Sequence, residues 1–407
     1  MSGKPIRVVV VDDSRLMRGI IQAALEAEGD IAVAAQAGNV AEGRRMIKET
    51  DPDAVTLDVE MPGMNGLEFL EKIMTLRPTP VVMVSSLTAE GTEITLAALQ
   101  MGAVDVVRKP SGPDPMGPFG RELREKVRTA ARAQVQRRAA SPVASPRLIA
   151  QARKGGATTP STGMREGPRQ AGREATPQWM QAVQTQAADP GRDGAPLEPA
   201  PPSRPGGWRR SLIAIGASTG GVGALGELLE GLPPDLPPVV ITQHMPEGYT
   251  DRFARRLRDK LRRDVAEARD SEPLAAGMVR IAPGSRHLEL QVNGRRLLTR
   301  LGDSSPVSGH CPSVDVLFGS VARAAGPGAV GVILTGMGRD GAAGMRAMRG
   351  AGAATLGQSE RTCVVYGMPR AARELGAVEE ELDLDRLAAR ICDFARSAPS
   401  RRAALGT

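Results

Sequence analysis

Two groups of residues in this chain have the types and spacing that chemistry needs. The first is acidic. Asp12 and Asp13 follow the apolar run IRVVVV, Asp58 closes AVTLD, Ser85 closes VVMVS and Lys109 follows DVVR. If these runs are parallel strands, their carboxyl ends converge on one crevice, where open α/β sheets bind ligands. Three carboxylates meeting there would raise one another's pKa, and a hard divalent cation such as Mg²⁺ is their natural neutraliser. A lysine and a hydroxyl beside them would complete a site able to stabilise an incoming phosphoryl group. A lone strand-end aspartate ordinarily caps a helix. Four polar side chains at four strand ends are hard to explain that way.

The second group is built on a serine. Gly216-Ala217-Ser218-Thr219-Gly220 joins the run SLIAI to the helical pattern GVGALGELLEGL, a strand-turn-helix setting that exposes a serine oxygen at a helix N-terminus. The same loop could be a glycine turn whose serine only caps the helix. A serine nucleophile needs a base, and there are three histidines. His244 closes PPVVITQ and so falls at the crevice edge beside the serine, whereas His287, ahead of a strand, and His310, in a loop before Cys311, read as structural or substrate-facing. Asp340, in TGMGRDG after AVGVILT, is the best-placed carboxylate to orient the imidazole. Asp270 and Asp303 fall in other loops, and Asp315 falls inside a predicted helix. That loop also has a rival reading. Gly336, Gly338 and Gly341 follow the dinucleotide-binding spacing, and Glu360 lies about where a ribose-binding acid is expected. The motif comes late in its domain, however, and would leave Ser218 and His244 unexplained.

The elements that must position these residues alternate strand and helix twice. Over 1–135, continuous apolar runs separated by amphipathic helices predict a doubly wound parallel sheet covered on both faces. Ser14 or Asp13 can cap the first helix and Gly29 can end it. From 136 to 208 periodicity gives way to Ala, Pro, Arg, Gly and Ser, which predicts a disordered linker. A second α/β domain over 209–395, Rossmann-like, carries an inserted hairpin in HLELQVNGRRLLTRL with a turn at Asn293-Gly294, and 396–407 is a tail. At 407 residues, two domains are the default expectation. The three cysteines, Cys311, Cys363 and Cys392, form no C-x-x-C pair and predict neither disulfides nor a zinc site. A net charge of +7 with only 2% aromatic residues fits solvated basic helices and a basic linker better than a nucleic-acid surface. No apolar run reaches the ~20 residues of a membrane helix, and MSGKPIRVVVVDD has no leader pattern. A cytoplasmic protein without membrane insertion is expected.

The acidic set, over roughly residues 5–125, resembles a response-regulator receiver domain. The resemblance implies Asp58 as phosphoacceptor and Mg²⁺ held by Asp12, Asp13, Asp58 and the Glu60 carbonyl. It also implies Lys109 at the phosphoryl group, Ser85 as the switching hydroxyl and a sensor histidine kinase as phosphodonor. Val106 stands where an aromatic residue is frequent, so a switch by aromatic rotamer is not expected. The second domain resembles the catalytic domain of chemotaxis protein-glutamate methylesterases through IGASTGG, ITQHMP, IAPGSRHLEL, CPSVDVLFGSVA, GVILTGMGRDGAAGM and TCVVYGMPRAA. It implies Ser218 as nucleophile, His244 as base and acid, Asp340 as orienter, and methylated chemoreceptors as substrates, with deamidation of receptor glutamines besides and no cofactor in the esterase site. The amides near Thr219 and Met337 are candidates for an oxyanion hole. A receiver-controlled nucleotide-binding domain and a non-catalytic scaffold are the alternatives.

Overall fold

The computed structural model describes residues 4–61, 66–86, 89–110, 117–135 and 211–397. The expected linker lies outside these residues, as does most of the expected tail.

The first sheet has five parallel strands, β1 (Ile6–Val11), β2 (Ile31–Ala37), β3 (Ala54–Asp58), β4 (Val81–Ser85) and β5 (Asp105–Arg108), in the order β2-β1-β3-β4-β5. Between them run α1 (Arg15–Glu26), α2 (Val40–Thr50), α3 (Gly66–Leu76) and α4 (Ala89–Met101), with α5 (Pro118–Ala130) following β5. Residues Val8, Val10, Val82 and Val84 of the strands bury against Ile21 and Leu25 of α1 and Leu123 and Val127 of α5. Strands buried on both sides need no polar alternation, which is why runs such as VVVV fold here. Ser14 caps α1, its Oγ accepting from the Met17 amide at 3.3 Å. The chain reverses direction between β1 and β3, and that switch point collects Asp12, Asp13 and Asp58.

The second sheet has seven parallel strands in the order β14-β13-β12-β6-β7-β9-β8. These are β6 (Leu212–Ala217), β7 (Val239–Gln243), β8 (Val265–Glu267), β9 (Val279–Ile281), β12 (Ala329–Ile333), β13 (Ala354–Gln358) and β14 (Glu380–Leu382). Its helices are α6 (Gly221–Gly231), α7 (Tyr249–Leu261), α8 (Val314–Ala324), α9 (Ala342–Gly350), α10 (Met368–Glu374) and α11 (Leu384–Arg396). The antiparallel hairpin of β10 (Leu288–Asn293) and β11 (Arg296–Leu301) buries Leu288 and Leu290 against Val314, Leu317 and Val321 of α8. Its turn sits one residue later than the sequence predicts. Asn293 still pairs with Arg296, so Gly294 and Arg295 form the loop, and the positive φ of 61° falls on Gly294. In this sheet the switch point lies at β6, between β7 and β12, so the loops after these three strands meet. Both sheets belong to one compact unit.

Candidate functional site

Ser218 sits in the turn from β6 into α6. The positive φ falls on Gly220 (78°) and not on the serine. A Cβ on Gly216 would stand 2.2 Å from Val314 Cγ1, and one on Gly220 would stand 2.6 Å from Val364 Cβ. Gly216 is therefore required by close packing against α8, and Gly220 by its positive φ and close packing on Val364. Gln243 fixes the turn from below, its Nε2 donating to the Ser218 carbonyl at 2.9 Å and to the His244 carbonyl at 3.1 Å.

His244, the residue after β7, meets Ser218 Oγ with Nδ1 at 3.1 Å and Asp340 Oδ2 with Nε2 at 2.8 Å. With Nε2–H donated to the carboxylate, the Nδ1 lone pair faces the serine, which is the tautomer a base requires. Asp340 is 1% exposed. Besides His244 it accepts from Ser313 Oγ (2.8 Å), the Val314 amide (2.7 Å) and the Asp315 amide (3.1 Å). These amides open α8, so the carboxylate also faces the positive end of a helix. Burial alone would raise its pKa, but the His244 hydrogen bond and charge, with the Val314 and Asp315 amides, outweigh it and hold Asp340 below the usual aspartate value. The adjacent Asp315 is pushed the other way, by burial first and then by the charge of Asp340, although the Gly344 amide donates to it at 2.7 Å. The opposed shifts favour the negative charge on Asp340.

The expected rivals take other places. His287 is buried, with Nδ1 accepting from the Ser313 amide at 3.0 Å and Nε2 at 2.8 Å from the Ser305 carbonyl. It pins the segment that carries Ser313. Asp270 accepts from the Leu301 amide at the hairpin, and Asp303 from the Ser305 amide. His310 is in the site: its ring stacks on His244 with centroids 4.0 Å apart and planes at 10°. Donor atoms of His244, His310 and Asp340 lie within 4.8 Å of one another. Both nitrogens of His244 already have protein partners, so a metal there would have to displace Ser218 or Asp340. As for the dinucleotide reading, a Cβ at Gly336 would meet Ser218 Cβ at 2.7 Å and Met368 Sδ at 2.3 Å, and one at Gly341 would meet Val314 Cγ1 at 2.5 Å. Gly336 and Gly341 serve approach to the serine and to α8 and α10, whereas Gly338 faces open space and supplies a positive φ of 82°.

The acidic site forms as its spacing predicts. Lys109 Nζ lies 3.1 Å from Asp12 Oδ2 and 2.9 Å from Asp58 Oδ2. Carboxylate oxygens of Asp12, Asp13 and Asp58 lie within 4.8 Å of one another, and the buried Asp12 Oδ2 and Asp58 Oδ2 have no partner with hydrogen-bond geometry. Both oxygens face the Lys109 ammonium, and a hard cation fits the three converging carboxylates beside it. Burial raises the Asp58 pKa to about 6, with Asp12 adding to the rise and Lys109 opposing it. The Glu60 amide donates to Asp58 Oδ1 at 3.2 Å. Ser85 Oγ accepts from Thr95 Oγ1 at 3.0 Å and donates to the Ser86 carbonyl at 3.1 Å.

The two sites are linked by contacts that sequence reasoning missed. Helix α4 packs on α6 and α7, and Arg252 of α7 lies 3.5 Å from Glu93 of α4. Thr219 Oγ1, next to the nucleophile, donates to Asp105 Oδ2 at 2.6 Å, and the Gln134 amide donates to the Val364 carbonyl at 3.0 Å. Thr129 of α5 contacts Met337 Sδ. Tyr249, the first residue of α7, is 2% exposed; its phenol faces the hydroxyls of Thr95, Ser85 and Thr92, and burial raises its pKa. Over Ser218 and His244 there remains a cavity of about 30 Å³, roofed by Leu99, Asp105, Val106 and Lys126.

A five-stranded acidic-crevice sheet and a serine–histidine–aspartate constellation at the switch point of a parallel sheet define a receiver joined to a hydrolase-type α/β module. The family models agree: residues 8–117 match the response regulator receiver domain and residues 213–391 match CheB methylesterase. A protein-glutamate methylesterase/protein-glutamine glutaminase of Rhizobium etli is 49% identical over 382 residues, covering 93% of this chain and 94% of its relative. One of the same name from Agrobacterium fabrum is 50% identical over 379 residues, 93% of each chain. Among solved structures, the Thermotoga maritima CheB methylesterase catalytic domain is 33% identical, with a TM-score of 0.45, covering 46% of this chain and 98% of that one. The chain belongs to the protein-glutamate methylesterase/protein-glutamine glutaminase family. Among the described residues no helix is long and apolar enough to cross a membrane.

Proposed function

We propose that this chain is a cytoplasmic, phosphorylation-activated methylesterase that hydrolyses glutamate methyl esters on chemoreceptors and deamidates receptor glutamines. The observation that carries the chemistry is the relay from Ser218 Oγ through His244 to Asp340, at 3.1 and 2.8 Å. Ser218 Oγ attacks the ester carbonyl while its proton passes to His244 Nδ1. Asp340, kept ionised, stabilises the imidazolium. The proton then leaves with methoxide as methanol, and a water deprotonated by His244 hydrolyses the acyl-enzyme to glutamate. A glutamine side chain gives the same acyl-enzyme, with ammonia as leaving group. The Thr219 and Met337 amides are our oxyanion donors. Thr219 follows the nucleophile, and the peptide before Met337 belongs to Gly336, whose backbone runs against Ser218.

Residues 1–135 act as the receiver and 209–395 as the esterase. Asp58 accepts a phosphoryl group from a sensor histidine kinase, with Lys109 at the phosphoryl oxygens; Asp12, Asp13, Asp58 and the Glu60 carbonyl would hold Mg²⁺, which would neutralise charge there. Among the described residues the cavity over Ser218 is about 30 Å³, room for no more than a water or two, which supports a resting state closed to a receptor side chain. A phosphoryl group is a stronger acceptor for Ser85 than the neutral Ser86 carbonyl it now donates to. Ser85 turning to it would break the contacts with Thr95 and Tyr249 that dock α7. Covalent labelling tests the nucleophile: a fluorophosphonate should modify Ser218, faster with Mg²⁺ and a small phosphodonor, and labelling elsewhere, or none, would overturn the assignment.

A further inference from the structure

The triad leaves one feature of the site unused. His310 lies flat on the imidazole of His244, with centroids 4.0 Å apart and planes at 10°. The segment that carries it is built to hold it there. Val307 and His310 exchange backbone hydrogen bonds at 3.0 Å around a tight turn, with positive φ at Ser308 (53°) and Gly309 (79°). The His310 Nδ1 lies 2.8 Å from the Ser308 carbonyl, an acceptor only, so Nδ1 carries the proton and Nε2 the lone pair of a neutral ring. Three residues on, Ser313 Oγ and the Val314 amide bind Asp340, and His287 fastens the Ser313 amide. One short segment thus anchors Asp340, which holds an edge of His244, and lays His310 against its face.

Resting on the hydrolytic reading above, we infer that His310 is a positioning residue for the general base, fixing the plane of the His244 ring and acting in its neutral form. An imidazole held only at its edge, by Asp340, can still rock about that hydrogen bond. A stacked neighbour removes that freedom and keeps Nδ1 aimed at Ser218. The neutral π face also favours the imidazolium that forms when His244 takes the serine proton. His310 exchanges no proton in the cycle. Protonated, it would set one cation against another and oppose the same step. The titratable groups that face it are His244 and Asp340, with Asp315 reaching the turn through Ser308 Oγ at 3.4 Å. Burial first, then His244, holds its pKa below the usual imidazole value, while Asp340 works against them.

The test uses the full chain with Mg²⁺ and a small phosphodonor, and measures methanol release from a methylated chemoreceptor fragment for wild type, His310→Ala, His310→Phe and Ser218→Ala. Loss of alignment at the base should lower kcat of His310→Ala roughly tenfold with KM little changed. The phenyl ring of His310→Phe keeps the stack, and kcat should stay within roughly threefold of wild type. Below neutrality, log kcat/KM of wild type should fall with a slope approaching two, since both rings must be neutral, and that of His310→Phe with a slope of one. The receiver is common to all variants, so its own pH response cancels in the comparison. Wild-type kcat in His310→Ala, an equal loss in His310→Phe, or identical acid slopes would each overturn the inference. Activity retained by Ser218→Ala would instead overturn the hydrolytic reading beneath it.

Discussion

Removing one hydrogen bond between receiver and esterase should switch the enzyme on without phosphate. Thr219 Oγ1 donates to the ionised Asp105 at 2.6 Å, and Asp105 roofs the cavity over Ser218. A hydrogen bond to a charged group contributes about 1.5–3 kcal/mol net, so its loss in Asp105→Ala shifts the ratio of closed to open molecules by roughly tenfold to a hundredfold. Asp105 also pairs with Lys126 at 3.1 Å, but Lys126 keeps Glu122 at 2.9 Å, and all three lie in the receiver, so that loss is common to both states. Methanol release without phosphodonor should rise by the same factor, up to the ceiling set by the fully phosphorylated wild type. Because only the gate changes, the phosphodonor-saturated rate should match wild type. An unchanged basal rate in Asp105→Ala, with the saturated rate intact, would refute the idea that this contact holds the receiver closed.

Three further outcomes follow from the geometry. Tyr249→Phe removes the phenol that faces Ser85 and Thr95, and the ratio of phosphorylated to basal methanol release should shrink severalfold while the saturated rate holds. An unchanged ratio would separate Tyr249 from the switch. Ser218→Ala should lower kcat by roughly 10³-fold or more, read in the same assay with receptor binding retained. Asp315 has a folded-state pKa raised above its unfolded value, so the stability it contributes is complete in acid and is lost as pH rises through its folded value. Asp315→Asn keeps an acceptor for the Gly344 amide and removes the repulsion with Asp340. Its melting temperature relative to wild type should therefore climb from pH 5 to pH 8, and a constant difference would contradict the charge assignment of the pair.

Much of both sites was legible because strand ends converge. Once IRVVVV, AVTLD and VVMVS read as parallel strands, the meeting of Asp12, Asp58, Ser85 and Lys109 is geometry, and the structure has Lys109 within 3.1 Å of both aspartates. Ser218, His244 and Asp340 follow β6, β7 and β12 in the same way. Other features left no local trace. Strands β8, β9 and β14 are three residues each, too short to carry a period. His310 looked like a loop residue because its partner lies 66 positions away in the chain and is brought to it by α8 and the turn before it. Tyr249 arrives beside Ser85 from the other module, a relation that a reading of one sheet at a time cannot see. Ser313 could have been found: it precedes α8 and caps it, and a capping serine in a segment leading to a catalytic loop signals a fixed helix end.

The central claim is that Asp58 controls the chemistry of Ser218. Its most direct test is methanol release from a methylated chemoreceptor fragment by the full chain, with and without a small phosphodonor and Mg²⁺, alongside Asp58→Asn and Ser218→Ala. The rate should rise with phosphodonor for wild type, not rise for Asp58→Asn, and fall by roughly 10³-fold or more in both conditions for Ser218→Ala. A phosphodonor response that survives Asp58→Asn, or methanol release by Ser218→Ala near the wild-type rate, would contradict it.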